Sequence, residues 1–138
     1  MKISEIMTKE PNYIGPNESL EEAARRLRDL DVGMLPVGDG IKLKGTLTDR
    51  DITVRVIAEG IDPKAVRVSD VMTPEVLYAY DDEDVEEAAK IMEDKQIRRL
   101  IILNRDKDMV GIVALADIAN RAKDPNVESE ALEGVSKS

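Results

Sequence analysis

Leu20, Ala23, Ala24, Leu27 and Leu30 recur at the three-and-four spacing of a single helical face, and Ser19 stands three residues ahead of Glu22, a capping-box spacing. The pattern predicts a helix with one buried side. A short strand over 12–14 precedes it, and an apolar run over 32–37 reads as the next strand. Gly38-Asp39-Gly40 makes a turn, and the partial alternation over 42–48 predicts a second strand after it. Thr48-Asp49-Arg50-Asp51 then opens another helix, running to residue 59, with Gly60 as its stop.

The same order returns further along. Ile3-Ser4-Glu5-Ile6-Met7-Thr8 matches Val68-Ser69-Asp70-Val71-Met72-Thr73, and Leu20 to Ala24 matches Val85 to Ala89, both at a shift of 65; Gly45 and Asp51 match Gly111 and Asp117 at a shift of 66. One residue is inserted in the second copy's turn, around 104–108. A repeated supersecondary unit of this kind sets the architecture. The second copy predicts strands over 76–79, 98–103 and 109–114 and helices over 84–95, capped by Asp84, and 116–123. The domains are therefore a first repeat over 1–61, a second over 62–123, and a polar tail over 124–138 that reads as a loose helical turn or a disordered extension. The joining segment 61–67 is too short for a free linker. The fold class expected is α/β (α+β): two β-α-β-β-α repeats packed face to face on a shared core, with pseudo-two-fold symmetry.

Composition narrows the chemistry. The 138 residues are 42% apolar, as a globular core requires, yet contain no cysteine, histidine, tryptophan or phenylalanine. Disulfides, thiolate nucleophiles, imidazole bases and Cys/His zinc sites are excluded together. A net charge of −9 repels phosphate backbones and anionic membranes, so neither nucleic acid nor membrane is an expected partner. The first residues lack the apolar stretch of a signal peptide, and a cytoplasmic location is expected. Asp81-Asp82-Glu83-Asp84 lacks the Asp-x-Asp-x-Asp-Gly spacing of a calcium loop and sits where a helix start favours acid, so no metal site is expected. Tyr13, Tyr78 and Tyr80 read as edge-strand packing, and the methionines as core.

The duplicated unit resembles a pair of cystathionine beta-synthase (CBS) domains, a Bateman module. The strings that carry the resemblance are Met7-Thr8 and Met72-Thr73, Leu35-Pro36-Val37, and Gly45-Thr46-Leu47-Thr48-Asp49-Arg50-Asp51-Ile52, which fits the signature Gly-x-x-Thr/Ser-x-x-Asp, with Arg55 and Gly60 beyond it. The resemblance implies a small regulatory protein that binds an adenosine-containing ligand (AMP, ADP, ATP or S-adenosylmethionine) in clefts between the repeats. It also implies that no other cofactor is required, that the chain forms a homodimer, and that a protein partner could be regulated by it. Gly45 would allow close approach, Thr48 would offer a hydroxyl, and Asp51 would accept from ribose hydroxyls. The same Thr48 and Asp51 also fit a plain helix cap.

Further site residues follow from the resemblance. Ala88 and Ile97 would wall the better site, and Arg98 and Arg99 would meet phosphate through their planar forks; one of the two arginines also fits a solvated strand position. A weaker second site would use Ala23, Val32, Gly111 and Asp117, with Ala114 where a hydroxyl belongs. Ile101 replaces the usual proline of the Leu-Pro-Val string, which Leu35-Pro36-Val37 keeps. A competing reading is a scaffold that dimerises and docks without ligand. Catalysis is not expected, because Asp49 and Asp51 have no histidine or cysteine to work with.

Overall fold

The computed structural model describes residues 1–122; the tail over 124–138 and Lys123 lie outside them. Two packing units are present, and they cut the chain differently from the sequence repeats. One unit joins Met1–Pro11 to the chain from Leu77 onward, and the other is Asn12–Val76. Each repeat's leading segment thus belongs to the unit built from the other repeat.

The leaders are seated by matching backbone bonds. In the unit from Leu77, the Ile3 amide donates to the Glu83 carbonyl (2.9 Å), Ser4 to Asp81 (3.0 Å), and Val85 to Met1 (3.0 Å). In the unit Asn12–Val76, Val68 donates to Glu18 (2.9 Å), Ser69 to Pro16 (2.9 Å), and Leu20 to Val66 (3.0 Å). The pairs are related by the shift of 65 read from the sequence. The buried apolar residues accordingly form two clusters, one in each unit. One holds Ile3 from the first leader with Ala79, Leu100, Ile102 and Ile118; the other holds Val68 and Val71 from the second leader with Ile14, Leu35 and Leu47.

In the unit Asn12–Val76, α1 spans Leu20–Leu30, with the Ser19 hydroxyl accepting from the Glu22 amide, and ends at Asp31 in the left-handed region. Strands β2 (Met34–Gly38) and β3 (Leu43–Thr48) form an antiparallel pair. Next, α2 (Asp49–Ile52) passes directly into a π-helical turn over Thr53–Ile57, and α3 (Val68–Val71) is the second leader's single turn. The other unit contains β1 (Thr8–Lys9), β4 (Tyr78–Tyr80), β5 (Arg99–Leu103) and β6 (Met109–Ala114) in the sheet order β1-β6-β5-β4, with α4 (Val85–Lys95) and α5 (Leu115–Ala122).

Pro36 explains why one pair of equivalent segments differs. The strand predicted over 12–14 is reduced to one bridge, Ile14 to Val37, whereas its counterpart β4 pairs with β5 in parallel over three residues. The next donor in the shorter ladder would be residue 36, a proline without an N–H; the second repeat has Ile101 there, which pairs with Tyr78 and Ile112. β1 pairs over Thr8 and Lys9, while its counterpart Thr73 makes a single bridge to Thr46. The Asp84 cap also differs from expectation. Asp84 holds the N-cap position, but its side chain makes no cap bond; its carboxylate lies 3.6 Å from the Met1 ammonium instead.

Candidate functional site

The Thr48–Asp51 turn sits where β3 gives way to α2. The Asp51 amide donates to Thr48 Oγ1 (3.1 Å), and the Thr48 amide donates to Asp51 Oδ2 (3.0 Å). This closed capping box shows the cap role of both residues directly. It leaves Asp51 Oδ1 outside the turn, with Arg55 Nε at 3.9 Å, on a side chain only 15% exposed. A carboxylate held in this way keeps one oriented acceptor for a donor from outside.

Gly45 serves close approach, and the group that approaches is backbone. A Cβ at Gly45 would lie 2.6 Å from the Thr73 carbonyl oxygen and 3.0 Å from Met72 Sδ. Gly111 repeats the arrangement against the first leader, with Met7 Sδ at 2.6 Å and the Thr8 oxygen at 2.9 Å. Each Met-Thr string read from the sequence therefore packs on the glycine of the other repeat's signature.

The second signature is half built. Asp117 Oδ2 accepts from the Ala114 amide (2.9 Å), the counterpart of the Thr48–Asp51 bond, but Ala114 has no hydroxyl to accept in return. Arg98 and Arg99 stand beside this turn: Arg99 is paired with Ala114 across β5 and β6, and the Leu115 amide donates to the Arg98 carbonyl (2.7 Å). Both side chains are exposed, and neither guanidinium has a partner among the described residues. The first repeat's equivalents, Gly33 and Met34, hold the same place beside Thr48, with Asp49 donating to the Gly33 carbonyl (3.0 Å).

The proposed apolar walls separate by burial. Ala23 and Ala88 are both 0% exposed and belong to the cores of their units, so they offer a ligand no surface; Val32 and Ile97 are half-buried. Thr48, Asp51, Gly45, Ala23 and Val32 lie in one unit, and Ala88, Ile97, Arg98, Arg99, Gly111 and Asp117 in the other.

The acidic run is occupied by local structure. Arg105 makes a bidentate pair with Asp82 and lies 4.0 Å over the Tyr80 ring, which meets Tyr78 edge-on at 5.5 Å. That guanidinium holds the Asp82 carboxyl below the usual carboxylate range. Among the described residues, no group of three or more acidic side chains is placed to share a metal ion, and no helix is long and apolar enough to cross a membrane.

In the sequence Arg55 stands only as part of the family string, and its spacing of four from Asp51 on a helix is the signal that joins the two.

Comparison with known proteins agrees with this construction. The CBS domain family matches residues 3–57 and 68–124. The chain is 39% identical over 117 residues to the CBS domain-containing protein YhcV of Bacillus subtilis, covering 85% of this chain and 82% of that protein. Among solved structures, CBSX2 in complex with AMP is similar at a TM-score of 0.75 and 26% identity, covering 88% of this chain and 95% of that one. The CBS domain pair of protein MJ0100, in complex with 5′-methylthioadenosine and S-adenosyl-L-methionine, is similar at 0.73 and 28% identity, with coverages of 88% and 98%. The chain belongs to the CBS domain family and carries two copies of the domain.

Proposed function

We propose that this CBS-domain chain is a regulatory module that binds an adenosine-containing ligand, with Asp51 as its principal polar contact. The observation that carries the reading is the closed Thr48–Asp51 turn: one carboxylate oxygen is fixed by the Thr48 amide, and the other is left as an oriented, partly sheltered acceptor suited to a ribose diol. The AMP and S-adenosylmethionine complexes of related structures support the ligand class. Arg98 and Arg99, whose exposed guanidinium groups have no partner among the described residues, are the cations proposed for a ligand phosphate. A ligand that favours one arrangement of a protein shifts its population toward that arrangement, and this is how occupancy would be reported. The module is read as working as a homodimer.

The half-built turn at Ala114 and Asp117 favours a second reading, a scaffold that docks on a partner without ligand. A thermal-shift panel of AMP, ADP, ATP, S-adenosylmethionine and adenosine separates the two. Ligand binding raises the melting temperature in proportion to the logarithm of ligand excess. A rise for at least one adenosyl compound supports the sensor, and no rise at millimolar concentrations supports the scaffold.

A further inference from the structure

The Arg55 guanidinium faces two ways. Nε lies 3.9 Å from Asp51 Oδ1, and Nη1 donates to the Val71 carbonyl (2.9 Å). Val71 ends α3, so this carbonyl is one of the helix-end acceptors left without an intrahelical donor, and arginine is a suitable partner for it. The chain then continues through Met72 to Thr73. Thr73 exchanges two backbone bonds with Thr46, each 2.9 Å, and packs against Gly45. Thr46 lies two residues before Thr48, which closes the turn on Asp51. Asp51, Arg55, Val71, Thr73, Thr46 and Thr48 thus form a closed circuit within one packing unit. Arg55 projects from the π-helical turn over Thr53–Ile57, a local geometry often found at functional positions.

We infer that Arg55 is a positioning residue that couples the Asp51 carboxylate to the second repeat's leader, so that a group engaging Asp51 is felt at the Thr46–Thr73 pair. The coupling is electrostatic on one side and a directed hydrogen bond on the other. When Asp51 loses its charge, or shares it with a ligand hydroxyl, Arg55 loses one of its two anchors and its hold on Val71 slackens. The regulatory sense rests on the ligand reading above; the coupling itself does not.

Amide hydrogen exchange at Thr46 and Thr73 tests it on the full chain without ligand, in the parent, Asp51→Asn, Arg55→Met and the double variant. Each single substitution should speed exchange at these two amides at least threefold, and the double variant should exchange no faster than Arg55→Met alone. Rate increases that multiply in the double variant, or a parental rate in Asp51→Asn, would overturn the coupling. If Arg55→Met fails to fold, Arg55→Lys takes its place, because it keeps the charge but cannot fork between two acceptors. A second arm adds AMP. It should speed both amides in the parent and leave them unchanged in an Arg55 variant that still binds; an equal change in both overturns the coupling. If AMP does not bind the parent, the ligand reading falls, while the ligand-free cycle still decides the coupling.

Discussion

Gly45 and Thr73 are in backbone contact: a Cβ on Gly45 would come within 2.6 Å of the Thr73 carbonyl oxygen. That oxygen is held by the Thr46 amide, and Thr73 donates back to Thr46, so it cannot yield without breaking a bonded pair. Gly45→Ala should therefore destabilise the protein by about 1–3 kcal/mol, the usual cost of overpacking, measured by urea denaturation. Parental stability would show that the second leader is free to move away.

The crossing of the leaders predicts how fragments behave. A chain of 66–138 holds the second repeat with its own leader but lacks Ile3, which is fully buried in that repeat's core, and β1, which covers β6. It should show no cooperative melt by circular dichroism. Fusing 1–11 directly ahead of 77–138 should restore cooperativity, because this joins the segments that pack together. A sharp transition in 66–138 and none in the fusion would reverse the assignment.

Much of this architecture was legible in the sequence, since the shift of 65 between Leu20 and Val85 or Ile3 and Val68 reappears as equivalent hydrogen bonds. Strand β6, and α4 to within a residue, lie where periodicity put them, as local pattern decides them. The crossing of leaders was not legible. Ile3 and Val68 look alike as sequence, and only long-range packing determines which core each enters. The missing strand at 12–14 was readable in principle, because Pro36 removes the required donor. At the site, the cap and ligand readings of Asp51 shared one spacing, and the structure shows that its two oxygens have different surroundings.

Ile101→Pro should shorten the pairing of β4 with β5, as Pro36 does at the equivalent place. β5 lies between β6 and β4, and proline there removes one ladder donor, at a cost of about 0.5–1.5 kcal/mol. The melting temperature should fall by a few degrees. A near-parental melt would mean that the pairing of Tyr78 with Ile101 adds little.

The Asp82–Arg105 pair predicts a pH effect. Arg105 lowers the Asp82 pKa in the folded protein, so the pair's contribution is present above the ordinary aspartate pKa of about 4 and is lost as pH falls through the lower folded value. Asp82→Asn should therefore flatten the fall in melting temperature below about pH 4. An identical fall in both proteins would show the exposed pair to be energetically silent, as many surface pairs are.

The central claim is that Asp51 receives an adenosyl ligand, and titration calorimetry of AMP into the parent and into Asp51→Ala tests it most directly. Circular dichroism should first confirm folding, since opening the capping box costs about 1 kcal/mol. The account predicts measurable binding by the parent and a loss of at least about tenfold, roughly 1.4 kcal/mol, in Asp51→Ala. Equal affinity in the two proteins would contradict it.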